Sequence, residues 1–410
     1  MNTRSVAIAS VAISVAALAS GSAHAEADFR INSGYRHESN LFRQSKALTD
    51  QTGERRSDSV FSLGGTVTAD VQPGQFDAQL QVDAGHEWYQ HNPNLDNFNY
   101  SAQLGVTRES GGIVGLRLDA LSRRSLSSYA DIRARTRNVQ DLQRITGEFT
   151  VPITPEFRIV ANPEYTQSEN SATFVRVNDF RQYGTGIGLG WFSPIGNSVA
   201  VTIARRYTDG LRDRIIQVPD APAANSRIDL VDTELGVNLR YAPSILTMIE
   251  ANVGIVHRND RSILDNDYTG PSGEVTLRYE PRASLRFALT AGRRLEAQSY
   301  VFVDSVRSDY VSGSVTAQVL DRLTLNGRVD YSTRLFRFDP LAGGVVTQSR
   351  KERLTRIEGR GDYRILDRIV LGGRLGYERR RSNVTFGEYK AMTVAATVSV
   401  AFGNRKSTVF

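Results

Sequence analysis

Apolar residues occupy every second position in blocks of about ten from Ser57 to the end of the chain. One block holds Phe61, Leu63 and Val67 as an apolar stripe, and the residues between them are mostly polar or small. Successive side chains of a strand point to opposite faces of its sheet, so this period predicts strands with one apolar and one polar face. A helical period is hardly visible, which favours an all-β fold.

The connections between the blocks alternate strictly between short turns and long polar loops. Pro73-Gly74 is a short turn, whereas 43–56 and 123–141 are long. Short turns at one rim and long loops at the other are typical of a transmembrane antiparallel β-barrel. A soluble sandwich, propeller or solenoid would also be rich in strands, but it has no reason to alternate its connections. We therefore predict one barrel of about 18 strands (16–18), with short periplasmic turns and long extracellular loops.

The overall composition excludes several classes of protein. The chain has no cysteine, so it can hold no disulfide framework, thiolate metal site or cysteine nucleophile. Its five histidines are scattered, and no nucleophile-elbow, zinc-hydrolase, phosphate-loop or calcium-loop motif occurs. We predict neither enzymatic activity nor a cofactor or metal, and the spread of arginine among carboxylates argues against nucleic acid as a partner.

The first 25 residues predict an exported protein. Arg4 is followed by a largely apolar stretch from Val6 to Leu18, and the small residues after it end in Ala23-His24-Ala25. This order is that of a secretory signal peptide with its cleavage site, over residues 1–25, and the apolar stretch is short for a membrane anchor. The barrel would then cover 26–410 and reside in the outer membrane of a Gram-negative cell envelope.

Aromatic residues near the ends of the apolar stripes predict two girdles at the membrane interfaces. The last stripe closes with Phe402, and the chain ends in Phe410. A terminal aromatic after alternating apolar residues resembles the signal that the barrel-assembly machinery reads, and either phenylalanine fits it. The girdle candidates are Trp88, Tyr89, Phe98, Tyr100, Tyr207, Tyr241, Tyr279 and Phe336.

Charge is distributed unevenly along the polar face. Residues 26–205 hold 18 Lys and Arg against 20 Asp and Glu, whereas 206–410 hold 31 against 24. Guanidinium groups lining a confined lumen would attract anions, which predicts a path for an anionic substrate. The alternative is that neighbouring carboxylates, such as Asp330, Glu358, Asp362 and Glu378, pair with these arginines and brace the wall. The predicted lumen arginines are Arg286, Arg294, Arg328, Arg334, Arg356, Arg360, Arg364, Arg374 and Arg380.

The first predicted strand, 28–42, carries a short motif. It reads Tyr35-Arg36-His37-Glu38-Ser39-Asn40-Leu41-Phe42-Arg43. This segment resembles the start of the EpsL-type outer-membrane barrels of exopolysaccharide operons, within the putative β-barrel porin group. The resemblance implies a barrel that passes a polysaccharide outward together with a periplasmic polysaccharide export protein and an inner-membrane copolymerase. It assigns no functional residue.

The sequence thus predicts an outer-membrane pore that exports an exopolysaccharide, of acidic character given the arginines. Its expected partners are outer-membrane lipid and lipopolysaccharide, the barrel-assembly machinery and the polysaccharide chain. Two alternatives remain open at this stage: a general or anion-selective porin for small solutes, and a structural or adhesin barrel. The sequence leaves open whether a loop such as 208–227 folds inward as a plug.

Overall fold

The computed structural model describes residues 25–72, 74–108, 114–132, 135–216, 224–261, 267–296, 306–336, 350–384 and 387–403. Short helices α1 (Lys46–Thr52) and α2 (Tyr129–Ile132) lie in connections, as do the 3₁₀ turns Pro93–Leu95 and Arg176–Asn178. The strands are β1 (Ala25–Glu38), β2 (Asp58–Val71), β3 (Asp77–Tyr89), β4 (Asn97–Arg108), β5 (Gly115–Leu126), β6 (Val139–Pro152), β7 (Phe157–Asn170), β8 (Phe180–Phe192), β9 (Ser198–Gly210), β10 (Arg214–Ile216), β11 (Ala224–Ser226), β12 (Asp229–Ser244), β13 (Thr247–Asp260), β14 (Tyr268–Arg282), β15 (Leu285–Glu296), β16 (Val306–Leu320), β17 (Leu323–Phe336), β18 (Arg350–Leu366), β19 (Ile369–Ser382) and β20 (Tyr389–Gly403).

Eighteen of the strands in the described part of the chain form one closed antiparallel barrel. Each strand pairs with the next along the chain, β9 pairs with β12, and β20 pairs with β1 from Asp28↔Gly403 to Glu38↔Thr393. β10 and β11 form a separate small hairpin between β9 and β12. The predicted fold class and strand number are confirmed, and closure leaves none of the 18 described barrel strands with an unpaired edge.

The connections alternate as predicted. β12 and β13 are joined through 245–246 and β16 and β17 through 321–322, whereas β1 and β2 are separated by 39–57 and β5 and β6 by 127–138. The short turns lie at one rim and the long loops at the other. This difference orients the barrel, because outer-membrane barrels have short turns on the periplasmic side.

The outer surface is an apolar belt. Leu235, Ile255, Leu289 and Leu375 each expose half or more of their side chains, and their neighbours on this face are also apolar. A continuous apolar surface of this size is stable only when lipid covers it. Among the described residues, no helix is long and apolar enough to cross a membrane.

Two rings of outward aromatic side chains border this belt. Tyr35, Phe61, Trp88, Phe98, Tyr183 and Tyr331 lie toward the loops, and Trp191, Tyr241, Tyr279 and Tyr363 lie toward the turns. The girdle prediction is wrong for Tyr89 and Phe336, which are 5% and 0% exposed. Both sit one position out of step with the outward stripe, so each side chain points inward at the loop-side rim. Tyr89 packs there with Leu95, and Phe336 packs with Val306.

The first strand ends earlier than predicted, at Glu38 instead of residue 42. The cause is Asn40, whose side-chain amide donates to the carbonyls of Gln44 and Lys390 at 2.8 and 3.0 Å. Its Oδ1 accepts from the Gln44 amide at 3.1 Å, so the side chain takes over hydrogen bonds that a ladder would make. Arg43, with φ 54°, completes the turn.

The chain ends bear on the export and assembly predictions. Phe402 lies on the outer face of β20, and its ring is 5.9 Å from that of Phe29 across the closing seam. Phe410 and residues 1–24, which hold nearly all of the predicted signal peptide, lie outside the described residues. The assembly signal and the signal peptide therefore stay predictions.

Candidate functional site

The nine predicted lumen arginines all lie on the inner face of neighbouring strands β15, β17, β18 and β19. On β17, for example, Leu325, Val329 and Tyr331 expose their side chains on the outer face, so Arg328 and Arg334 point to the other face. The strand order places these strands side by side, with β16 between β15 and β17. Because 18 strands enclose a lumen wide enough for water, this wall faces an aqueous channel.

Carboxylates of the same wall contact most of these arginines. Arg328 binds Asp330 at 2.9 Å, Arg356 binds Glu378 at 3.1 Å, Arg360 binds Asp362 at 2.7 Å and Arg374 binds Glu358 at 2.6 Å. The four arginines are still 44–60% exposed. The pairs therefore brace the wall, as the alternative interpretation proposed, while one side of each guanidinium stays open to the lumen.

The remaining predicted arginines differ in their surroundings. Arg286 lies near the turn rim, 3.6 Å from Glu280. Arg294 stacks on Tyr310 with its guanidinium 5.0 Å from the ring centre, and Arg334 pairs in register with Glu352. Arg364 has no carboxylate within 4.0 Å among the described side chains.

Arg380 belongs to a buried cluster at the loop-side rim. Its guanidinium is 3.2 Å from Glu352, which also binds Arg350 at 2.6 Å, and all three side chains are 3% exposed or less. Arg350 stacks on Phe336 and Arg380 on Tyr389. Sequence reasoning missed Arg350, Glu352 and Tyr389. The alternation of inward and outward residues along β18 and β20 could have placed them on the inner face. Nothing in the sequence shows that a loop covers them.

The covering loop belongs to the connection between β5 and β6, and its described parts, 127–132 and 135–138, fold inward. The carbonyl of Ala130 in α2 accepts a hydrogen bond from Arg380 on β19. In the closed barrel β5 and β19 are not neighbours, because β20 and β1 to β4 lie between them. The loop therefore crosses part of the mouth. It contacts the inner face of β15 to β19, which carries the predicted lumen arginines and which we call the arginine wall.

A second inward segment, 39–57, supports this loop. Tyr129 packs edge-on against Phe42, with the ring centres 4.8 Å apart. Arg135 lies over the Phe42 ring, binds Glu54 at 2.9 Å and donates to Gln44. Burial in this contact raises the pKa of the Tyr129 hydroxyl. The described parts of this connection, 127–132 and 135–138, thus fold inward, although the sequence did not single this connection out.

Arg43 ties segment 39–57 to the lumen wall. It binds Glu38 at 2.8 Å and lies 3.7 Å from Glu378 on β19. Burial alone would lower the pKa of Arg43, but the charges of Glu38 and Glu378 raise it, so the residue stays cationic. The motif that suggested the family resemblance thus builds a turn and a mouth contact: Asn40 and Arg43 hold the backbone, and Leu41 and Phe42 join the buried cluster.

The inner face of β1 to β3, on the other side of β20 from the arginine wall, is acidic. Strands β1, β2 and β3 carry few inward cations, and Arg36 already lies 3.5 Å from Glu87. Asp83 accepts from Thr66 and Gln81 at 2.7 and 2.8 Å. Strand β20, which separates this wall from β19, presents small and hydroxyl-bearing residues inward. The inward carboxylates of β1 to β3 are Glu26, Asp28, Glu38, Asp58, Asp70, Asp77, Asp83 and Glu87.

Comparison with known proteins agrees with a porin-like channel. Residues 223–402 match the family model described as putative beta-barrel porin 2. This segment runs from β11 to β20 and contains the whole arginine wall. The fold and this match indicate a porin-like channel rather than an enzyme, of the type found in outer membranes. The comparison with curated proteins gave no match.

The chain is also similar to solved structures from Pseudomonas and Acinetobacter. OpdK of Pseudomonas aeruginosa, crystallised with vanillate, has 9% identity and a TM-score of 0.47, covering 92% of this chain and 99% of its own. OccK2 (OpdF) of the same organism, in complex with glucuronate, has 11% identity and a TM-score of 0.47, with 93% and 99% covered. OccAB3 of Acinetobacter baumannii has 11% identity and a TM-score of 0.44, with 92% and 100% covered.

Proposed function

We propose that the barrel is an outer-membrane diffusion pore for small anionic solutes. The observation that carries this proposal is the contact between Ala130 and Arg380 at the mouth. A loop that crosses to the arginine wall narrows the entrance, which favours small solutes over a polymer chain. It also directs what enters past the guanidinium groups of β17 to β19.

The state of the arginines supports weak, exchangeable binding. Each of Arg328, Arg356 and Arg374 is held by one carboxylate but remains close to half exposed or more. A solute carboxylate or phosphate can accept hydrogen bonds from the exposed N–H groups of such a guanidinium without breaking its ion pair. Conduction requires binding of this kind, since a solute must leave as readily as it enters.

The charge of the two walls supports a preference for anions along one side. The inner faces of β15 to β19 carry more cations than carboxylates, whereas those of β1 to β3 carry an acidic excess. Opposite charges on neighbouring walls produce a field across the lumen that orients a dipolar solute and draws anions to the arginines. Among the described side chains, the wall cations are Arg286, Arg294, Arg328, Arg334, Arg350, Arg356, Arg360, Arg364, Arg374 and Arg380, against Asp330, Glu352, Glu358, Asp362 and Glu378.

Single-channel recording in a planar bilayer tests this function. In a salt gradient, the reversal potential of the native barrel should show a preference for chloride over potassium. Changing Arg328, Arg356, Arg360 and Arg374 to Ser leaves their carboxylates uncompensated, so the preference should shift toward cations. Arg124→Ser is the matched control, because Arg124 lies on the outer face. A native channel without anion preference, or a fourfold variant with unchanged selectivity, would contradict the proposal.

Exopolysaccharide export is the second candidate, and its support is the resemblance over Tyr35 to Arg43. The same recordings separate the two functions. A small uronate should cause brief, concentration-dependent blockades if the pore serves small solutes. Long blockades by an acidic polysaccharide, with none by its monomer, would instead favour export. Recognition of Phe402 or Phe410 by the assembly machinery, cleavage after Ala25 and a periplasmic export partner accompany these functions as predictions.

A further inference from the structure

Five cations form a cluster on the outer face of the barrel, where the apolar belt ends below the loops. They are Lys351 and Arg353 on β18, Arg379 and Arg381 on β19, and Lys390 on β20. All five share the parity of outward apolar residues, such as Leu375 on β19 and Met392 on β20, which are 64% and 58% exposed. We call these five residues the rim cluster. They are separate from the lumen arginines, which occupy the opposite face of the same strands.

The register brings like charges directly together. Arg353 is opposite Arg381, and Arg379 is opposite Lys390. Directly opposed side chains have Cβ atoms about 5 Å apart, and the two rows are separated by about 7 Å along the strands. Like charges in such positions destabilise a sheet. An anion between the rows would turn this repulsion into attraction.

Within the described part of the chain, the rim cluster has no acidic side chain paired with it. Among the described residues, no carboxylate oxygen lies within 4.0 Å of any of its five cationic groups. Glu388, which precedes β20 on the same face, is exposed and forms no ion pair within that distance. Other cations on this face do have close carboxylates: Arg124 binds Asp141 at 2.9 Å and Arg293 binds Asp309 at 2.5 Å.

We propose that the rim cluster binds the phosphate groups of a phosphorylated glycolipid in the outer leaflet. The surface below it supplies the second half of such a site. Tyr377 and Met392 occupy the next positions on the same face, two residues from Arg379 and Lys390 toward the turn side. Leu375 and Val394 continue this apolar surface. The planar guanidinium of arginine can donate two parallel hydrogen bonds to phosphate oxygens. An acyl chain lying along the apolar belt would hold the headgroup at the level of the rim cluster. The site therefore fits an amphiphile with an anionic head better than a free anion.

The test uses the full barrel, purified in a neutral detergent, and native mass spectrometry with diphosphoryl lipid A as the probe. The native barrel should retain lipid A, and removal of both phosphates from the lipid should weaken binding at least tenfold. This arm needs no protein variant, so it is informative even if a variant fails to fold. Equal retention of the two lipids would overturn the proposal.

Variants then locate the site. Replacing Arg353, Arg379 and Arg381 together by Ser should lower the affinity for diphosphoryl lipid A at least tenfold, whereas Arg124→Ser should leave it unchanged. The Lys variant of the same three positions should retain part of the binding because the charge remains. Unchanged binding by a folded Ser variant would overturn the assignment of the site. Displacement of lipid A by an equal concentration of inorganic phosphate would identify a free-anion site and also refute the lipid.

Discussion

At the scale of single residues, the most sensitive charge is Glu352. It is 1% exposed and holds two buried arginines, Arg350 and Arg380. Glu352→Gln would remove the carboxylate charge that both buried guanidinium groups bind, which should cost about 3–5 kcal/mol of unfolding free energy. Urea unfolding of the purified barrel, followed by tryptophan fluorescence, measures this difference.

The matched control is Asp330→Asn in the lumen. Its partner Arg328 is 60% exposed, and an ion pair that water reaches contributes about 0–1 kcal/mol. A loss for Glu352→Gln as small as that for Asp330→Asn would contradict the buried-cluster assignment. The sequence could not separate these two carboxylates, since both alternate with arginines on the inner face. Glu352 is buried because it lies in the packed cluster at the loop-side rim, where Arg380 contacts Ala130, whereas Asp330 lies further down the lumen wall and is 31% exposed.

At the scale of elements, strand β8 depends on a glycine that a β-pattern cannot explain. A Cβ at Gly188 would lie 2.2 Å from the Val201 carbonyl oxygen and 2.6 Å from Thr202 Cγ2 on β9. Gly188→Ala should therefore force the two strands apart and destabilise the barrel by about 1–3 kcal/mol. The midpoint of urea unfolding and the yield of the heat-modifiable folded band on a gel both report this change.

Gly313 on β16 provides the comparison, because a Cβ there meets no atom within 4 Å. Gly313→Ala should be neutral or stabilise by about 0.5–1 kcal/mol, since alanine restricts the unfolded chain. If both substitutions had the same effect, close approach would not be the reason for Gly188. The period-two pattern predicted the strands well because one face is apolar throughout. The pattern predicted the end of β1 wrongly, because the side-chain hydrogen bonds of Asn40 end the strand there and such bonds leave no period-two pattern.

At the scale of the whole molecule, closure and orientation followed from the sequence, but the mouth did not. Alternating turn lengths determine which rim carries the loops, and the parity of Arg328, Arg356 and Arg374 determines the face on which they lie. The inward fold of 127–132 and 135–138 depends instead on contacts between segments far apart in sequence, such as Ala130 with Arg380 and Arg135 with Glu54. Neither contact leaves a periodic pattern in the sequence from which it could be predicted.

This loop gives the barrel its last testable property, a narrowed entrance. Tyr129→Ala combined with Arg135→Ser removes the packing on Phe42 and the bond to Glu54, so the loop should leave the mouth. Single-channel conductance should then rise, and blockades by a small uronate should shorten because a wider entrance no longer confines the solute beside the exposed arginines of β17 to β19. Arg176→Ser, in the loop between β7 and β8, is the control and should change neither quantity. An unchanged conductance in the double variant would show that the loop does not limit passage, and the preference for small solutes would lose its structural basis.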